Sequence, residues 1–89
     1  MISAQVKVIN KLGLHARAAT KLVNCASAFD AEVNIARGAR KVNAKSIMGV
    51  LPLAAAIGTE LTIETDGSDE DAAMKAVTGL FQDYFGEGE

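Results

Sequence analysis

Polar and apolar residues alternate at the start of the chain and then take on a helical spacing. The period of two over residues 2–8 predicts a strand with one face in the core. A loop over residues 10–13 follows. Apolar residues then recur every three or four positions, which predicts a first helix from about Ala16 to Ala28. Its apolar stripe is expected to contain Ala19, Leu22, Val23, Ala26 and Phe29.

The same two periods continue through the middle of the chain. Alternation on either side of a turn at 37–40 predicts a β-hairpin over residues 32–44. Ser46 then offers a hydroxyl N-cap to a short helix over 47–51. Pro52 limits this helix, because proline lacks the N–H group that a continuing helix needs.

The last third of the chain predicts one more strand and one more helix. Alternation over residues 60–65 indicates the strand. Ser68 is predicted to cap the final helix, and the acidic residues 69–71 place negative charge in its first turn, where the helix dipole favours it. The buried stripe of this helix is expected at Ala73, Val77, Leu80, Phe81 and Tyr84.

The element order β-α-β-β-α-β-α predicts an α+β fold. We expect a two-layer open-faced sandwich, with four mostly antiparallel strands covered on one face by three helices. Eighty-nine residues are enough for a single domain over 1–89 with one hydrophobic core. The glycine-rich and acidic residues 86–89 are expected to form a flexible tail.

Composition narrows the classes of function. Aromatic residues make up 4% of the chain, there is no tryptophan, and the pI is about 5.3, so we expect no nucleic-acid partner. The longest apolar run is too short for a membrane helix. Cys25 is the only cysteine, which leaves no internal disulfide and no cysteine-based metal site. We therefore expect a cytoplasmic protein without metal or cofactor. A monomer is expected as well, although neither composition nor motifs determine the oligomeric state.

Charge divides the chain into two halves. Residues 1–45 hold eight Lys/Arg and two acidic residues, a balance of +6, whereas residues 46–89 hold one lysine and nine acidic residues, a balance of −8. Together they give the net charge of −2. The basic half suits an anionic group or an acidic partner protein, although a solvated mixed surface would show the same asymmetry.

His15 is the only histidine and falls at the start of the first predicted helix, in Gly13-Leu14-His15-Ala16-Arg17. A helix N-terminus presents free backbone N–H groups and positive dipole charge to an anion. The amides of Ala16 and Arg17 and the Arg17 guanidinium could therefore bind a phosphate beside a nucleophilic imidazole. A lone histidine is more often structural, but these neighbours favour phosphoryl transfer.

Three segments together resemble the HPr family, the histidine-containing phosphocarriers of the bacterial phosphotransferase system. They are Gly13–Arg17, Lys45–Val50 and Gly58–Thr59. The resemblance covers essentially the whole chain. It implies that His15 accepts a phosphoryl group from phosphorylated enzyme I and passes it to an enzyme IIA domain. It also implies that Arg17 helps to bind the phosphate and that the protein is a carrier without turnover of its own.

Ser46 matches a second family site, at which HPr kinase/phosphorylase phosphorylates a serine in bacteria that have this enzyme. As a helix N-cap, Ser46 needs no phosphate to explain its presence. A phosphate would nevertheless be tolerated at a positive helix end, and its charge would repel an acidic partner.

A docking surface for partner proteins is predicted beside His15. Basic and polar residues of the first helix would frame apolar residues of the short second helix, among them a methionine that can adapt to more than one partner. The predicted docking surface comprises Thr20, Lys21, Asn24, Lys45, Ile47, Met48 and Leu51. Cys25 and Tyr84 are assigned to packing.

The chain departs from the family pattern at two positions. Ala18 stands where the family usually has proline, and we expect this change to leave phosphoryl transfer intact. Ile57 stands where a lysine is common. Sugar uptake and the nitrogen-related branch both remain open, because Asn10–Gly13 and Phe29–Val33 are similar to the latter. A regulatory module acting through Ser46 is one alternative, and a small enzyme or RNA binder of similar layout is another.

Overall fold

The computed structural model describes residues 1–87 of the chain, and Gly88 and Glu89 lie outside the described residues. It contains four strands, three helices and two short 3-10 turns in the predicted order. The strands are β1 (Ile2–Lys7), β2 (Glu32–Arg37), β3 (Arg40–Asn43) and β4 (Glu60–Asp66). The helices are α1 (Ala16–Ser27), α2 (Ile47–Val50) and α3 (Glu70–Gln82), and the 3-10 turns are Leu51–Leu53 and Tyr84–Gly86.

The four strands form one sheet in the order β1-β4-β2-β3, and all three neighbouring pairs are antiparallel. The central strand β4 sets Ile63 opposite Ala4 on one side and Ile35 on the other. Leu61, Ile63 and Thr65 are buried while the residues between them are not. One face of the sheet therefore covers the core, as the alternating pattern predicts. The predicted α+β open-faced sandwich is confirmed.

Helices α1 and α3 cover this face and pack against each other. Small residues dominate the buried side of α1, which lets it lie close to its neighbours. The buried residues are Ala18, Ala19, Leu22 and Ala26 in α1, and Ala73, Met74, Val77 and Phe81 in α3.

The predicted stripe of the last helix is wrong at its C-terminal end. Helix α3 ends at Gln82, and the chain then adopts left-handed backbone conformations at Tyr84 (φ 56°) and Phe85 (φ 52°). This change of direction leaves Tyr84 38% exposed and turns the ring of Phe85 into the core. Phe85 meets Phe81 edge to face, with ring centroids 4.8 Å apart.

The predicted Ser68 cap of the last helix is also wrong. Helix α3 begins at Glu70, Asp69 occupies the N-cap position, and no side chain makes a capping bond there. The Asp69 carboxylate instead accepts hydrogen bonds from the backbone N–H groups of Asp30 (2.9 Å) and Ala31 (2.8 Å). Asp69 therefore ties the turn between α1 and β2 to the start of α3, a tertiary role that local capping rules do not reveal.

The contact of Asp69 predicts a pH-dependent contribution to stability. Hydrogen bonds from Asp30 and Ala31 lower the pKa of Asp69 below its ordinary value of 3.8. The ionised carboxylate therefore stabilises the fold above pH 3.8, and this contribution is lost as the pH falls through the lowered value. Asp69→Asn should lower the urea midpoint at pH 7, by an amount that shrinks below pH 3.8.

Asp71→Asn is the matched control, because Asp71 lies exposed in the first turn of α3 and makes no such contact with the α1–β2 turn. An equal loss of stability in both variants at pH 7 would show that only net charge matters. It would contradict a stabilising role for the hydrogen bonds between Asp69 and the α1–β2 turn.

The short helix α2 begins as predicted. Ser46 is its N-cap, and the Ser46 hydroxyl accepts a hydrogen bond from the Gly49 N–H at 3.3 Å. The helix ends at Val50, one residue earlier than predicted, and Pro52 lies in the 3-10 turn that follows. Proline is accommodated there because the first residues of a helical turn need no N–H donor.

Candidate functional site

His15 is the N-cap residue of α1. Its backbone is extended (φ −76°, ψ 179°), and its carbonyl accepts the first helical bond, from the Ala19 N–H at 2.8 Å. The imidazole makes no capping bond to the helix. The ring is thus half-buried and is not used to hold the helix.

The loop before His15 is fixed by a close approach to residues 54–56. The Leu14 N–H donates to the Ala55 carbonyl at 2.8 Å. Gly13 has φ +69°, and a Cβ atom added there would lie 2.6 Å from the Ala55 oxygen. Only glycine fits this position, so Gly13 sets the path by which the chain enters His15.

The first turn of α1 presents backbone donors next to the imidazole. Ala16 and Arg17 are its first two residues and both are exposed. Their N–H groups have no intrahelical acceptor, because the first N–H groups of any helix lack one. Ala18, in place of the usual proline, is the third residue and is fully buried. The predicted phosphate-binding residues therefore lie together with His15 at one helix end.

Two residues that the sequence analysis did not select complete this site. Asn10 is buried, and its side-chain Nδ2 donates to the Gly13 carbonyl at 2.7 Å and to Glu87 Oε1 at 3.0 Å. The other carboxylate oxygen of Glu87 contacts Nε2 of His15. The hydrogen bonds from Asn10 and then from His15 lower the pKa of Glu87. Glu87 is therefore an ionised acceptor at neutral pH.

The C-terminal turn lies against α1. Lys21 Nζ donates to the Phe85 carbonyl at 2.6 Å, and Gly86 lies next to the same ammonium group. Of the predicted tail 86–89, Gly86 and Glu87 thus make specific contacts, and that expectation is corrected for these two residues. Gly88 and Glu89 lie outside the described residues.

An open cavity of about 490 Å³ lies beside this helix end. Three cationic side chains and one carboxylate line it, so its balance of charge favours an anion. The lining residues are Lys11, Leu12, Arg17, Lys21, Gly86 and Glu87.

The predicted docking surface combines exposed and engaged residues. Met48 of α2 is 80% exposed, and Leu51 in the turn that follows α2 is also exposed. Thr20 and Asn24 are exposed on α1, which contacts α2. Ile47 is half-buried against the core. Docking itself stays a prediction.

The two lysines of that surface have partners within the fold. Lys21 holds the C-terminal turn, and Lys45 Nζ donates to the Phe29 carbonyl at 2.7 Å. Both lysines are half-buried residues, which the sequence pattern did not indicate.

Cys25 packs partly against the core, and burial raises the pKa of its thiol. Among residues 1–87, no group of three or more His, Cys, Asp or Glu side chains is arranged to hold a metal ion. In the same part of the chain, none of the helices has the length and apolar character needed to cross a membrane.

Comparison with known proteins gives one consistent family. A family model described as "PTS HPr component phosphorylation site" matches residues 2–83. Phosphocarrier protein HPr of Neisseria meningitidis serogroup A is 53% identical over 89 residues, which cover 100% of both chains. Phosphocarrier protein NPr of Shewanella violacea is 46% identical over 86 residues, covering 97% of this chain and 94% of the relative.

Solved structures agree with these relatives. HPr-C-His from Thermoanaerobacter tengcongensis matches with a TM-score of 0.94 and 39% identity, covering 98% of each chain. An HPr dimer from the same organism matches with a TM-score of 0.79 and 39% identity, over 98% of this chain and 100% of that one.

Proposed function

This chain belongs to the HPr family of phosphocarriers, and from that membership we propose that it carries a phosphoryl group on His15. The group arrives from phosphorylated enzyme I and leaves to an enzyme IIA domain. The observation that supports this most directly is the position of His15, whose imidazole stands at a helix N-terminus beside a cation-lined cavity.

The contact with Glu87 suggests which ring nitrogen reacts. Nε2 of His15 faces the Glu87 carboxylate, so Nδ1 is the nitrogen left to attack phosphorus. Phosphoryl transfer needs an in-line nucleophile and stabilisation of the phosphoryl oxygens. The N–H groups of Ala16 and Arg17 and the Arg17 guanidinium would stabilise those oxygens, and the partner's active site would supply the rest.

The same chemistry makes the protein a carrier, not a catalyst of its own reaction. A phosphoryl group bound to an imidazole nitrogen is readily transferred onward. After His15 has accepted the group and then donated it, the imidazole is again unphosphorylated. We propose that the carrier acts as a monomer in the cytoplasm, where an unpaired Cys25 is compatible with reducing conditions.

Incubation of the natural chain with phosphoenolpyruvate and enzyme I tests the carrier function. We expect one acid-labile phosphoryl group per chain, which is lost when an enzyme IIA domain is added. The absence of label with an enzyme I that phosphorylates a known HPr would overturn the proposal. Sedimentation of the labelled chain would show whether the carrier is a monomer.

The predicted docking surface is proposed as the contact for both partners. Met48 and Leu51 supply exposed apolar area on α2 and the turn that follows it, α2 contacts α1, and Arg17 of α1 adds a positive charge. An acidic, partly apolar partner surface would complement this arrangement. Such a partner would approach His15 from the side of α2.

Ser46 is proposed as a regulatory phosphorylation site, on the family resemblance and on its place as a partly exposed residue at the start of α2. A phosphate there would add about two negative charges next to Met48 and repel an acidic partner. A module acting mainly through Ser46 is the alternative function, and it would not need the His15 site.

We expect HPr kinase/phosphorylase and ATP to place one acid-stable phosphate on the natural chain and none on Ser46→Ala. Prior phosphorylation of Ser46 should slow the enzyme I reaction at His15 by roughly tenfold, because the two surfaces then repel each other. This change in rate corresponds to about 1.4 kcal/mol of activation free energy. Ser27→Ala, an exposed serine at the end of α1, is the control and should be labelled like the natural chain. Equal acid-stable labelling of Ser46→Ala would contradict the assignment.

A further inference from the structure

We propose that Glu87 is a positioning residue for His15, held in place by Asn10, which keeps the imidazole proton on Nε2 and the lone pair on Nδ1. This inference deepens the proposed function and rests on it, because positioning matters for transfer only if His15 carries the phosphoryl group. Neither residue belongs to the motifs that identified the site.

Asn10 fixes one end of this arrangement. The side chain is 1% exposed, and its amide group has two hydrogens, which are directed to the Gly13 carbonyl and to Glu87 Oε1. A buried amide with both donors in use cannot rotate without leaving a polar group unpaired. The orientation of Asn10 therefore determines where the Glu87 carboxylate sits.

The C-terminal turn fixes the other end. Phe85 is buried against Phe81, and Lys21 Nζ donates to the Phe85 carbonyl. Glu87 follows two residues later, so its backbone starts from a point anchored in the core. The carboxylate thus reaches His15 from a defined direction, although 72 residues separate the two in sequence.

The protonation states follow from hydrogen-bonding capacity. An ionised carboxylate only accepts hydrogen bonds, so a bond between Glu87 and Nε2 requires the proton to be on Nε2. In a neutral imidazole the lone pair is then on Nδ1. A carboxylate holds the tautomer of a catalytic histidine in the same way in serine hydrolases.

The transfer balances without a proton leaving His15. The Nδ1 lone pair forms a bond to phosphorus while the bond between phosphorus and the donor breaks, and that electron pair leaves with the donor. The ring keeps its Nε2 proton and becomes an imidazolium that bears the phosphoryl group. The negative Glu87 carboxylate stabilises this positive ring, and a positive ring is the better leaving group for the onward step.

Glu87→Gln tests the arrangement, because Asn10 dictates how the new amide must lie. The Gln oxygen would accept from Asn10 Nδ2, which would direct the Gln NH2 group at Nε2 of His15. That donor requires a lone pair on Nε2 and moves the proton to Nδ1. The variant therefore opposes the reactive tautomer while keeping the size and shape of the side chain.

The measurement is the tautomer of unphosphorylated His15, read from nitrogen-15 NMR of the imidazole at a pH where the ring is neutral. His15 is the only histidine, so one ring gives all the signals. We expect the Nε2–H form in the natural chain and at least a roughly tenfold shift of the ratio towards Nδ1–H in Glu87→Gln, with about a tenfold slower reaction with enzyme I. Glu60→Gln, an exposed glutamate of β4, should match the natural chain in both readouts.

An unchanged tautomer ratio in Glu87→Gln would overturn the inference, and so would a shifted ratio with an unchanged rate. Both readouts are interpretable only in a folded variant, which the thermal unfolding curve establishes. Failure of the natural chain to accept a phosphoryl group would overturn the carrier function, whereas the tautomer ratio would still decide whether Glu87 orients the ring.

Discussion

The His15→Ala variant is expected to accept no acid-labile phosphoryl group from phosphorylated enzyme I, even after long incubation. The reason is that no other side chain replaces His15 as the nucleophile towards phosphorus. His15 is the only histidine, and burial raises the pKa of the half-buried Cys25 thiol, which disfavours its nucleophilic thiolate form. The amides at the start of α1 can bind an anion but cannot form a bond to phosphorus. Label is measured on the intact chain, before and after mild acid.

We expect the substitution to leave the fold largely unchanged, because the half-buried His15 side chain makes no capping bond to α1, and its removal costs only the contact with Glu87 among the hydrogen bonds described above. A thermal unfolding curve within a few degrees of the natural one would show this. Ser46→Ala is the matched control and should retain full acid-labile label. Acid-labile label on His15→Ala at the natural level would mean that another residue carries the group.

The placement of His15 was predictable because the signals that determine it are local. The period of 3.6 begins at Ala16, the glycine needed for the approach loop precedes it, and these features alone set His15 at the N-cap. The strands were predictable for the same kind of reason, since every second residue of β4 is buried and the residues between them are not. Local periodicity thus gives both the sheet and the position of His15 at the start of α1.

The errors lie where a distant contact outweighs a local preference. Ser68 is a good N-cap residue, yet α3 starts later because the Asp69 carboxylate bonds to the α1–β2 turn. Tyr84 continues the helical spacing of α3, but the backbone turns before it reaches that position. In both cases a hydrophobic or capping pattern is correct as a preference and is overridden by tertiary packing.

Asn10 and Glu87 could not have been identified from spacing, because they lie 77 residues apart and neither belongs to a periodic pattern. Glutamate in a glycine-rich terminus is typical of a solvated tail. The burial of Phe85 brings Glu87 close to His15. The helical spacing of apolar residues does not predict that burial, because α3 ends at Gln82. The candidate site therefore depends on the packing of the C-terminal turn.

Removal of the Phe81 ring tests that packing, and Phe81→Ala should lower the free energy of unfolding by about 3–5 kcal/mol. Phe81 is almost completely buried, and its ring meets Phe85 at an interplanar angle of 65°. The loss is large against a total stability of about 5–15 kcal/mol for a typical domain. Urea unfolding measures this loss of free energy. Gln82→Ala is the control, because Gln82 is the exposed neighbour of Phe81, and its free energy of unfolding should stay within about 0.5 kcal/mol of the natural chain.

A double-mutant cycle separates the ring contact from the cavity. Phe81→Ala and Phe85→Ala together should cost less than the sum of the two single changes, by about 0.5–1.5 kcal/mol, because the edge-to-face contact is lost only once. The Phe81 variant should also weaken the hold of the C-terminal turn on His15, since Phe85 loses its partner. Equal stability of Phe81→Ala and Gln82→Ala would contradict the burial of this ring and, with it, the anchor from which Glu87 reaches the imidazole.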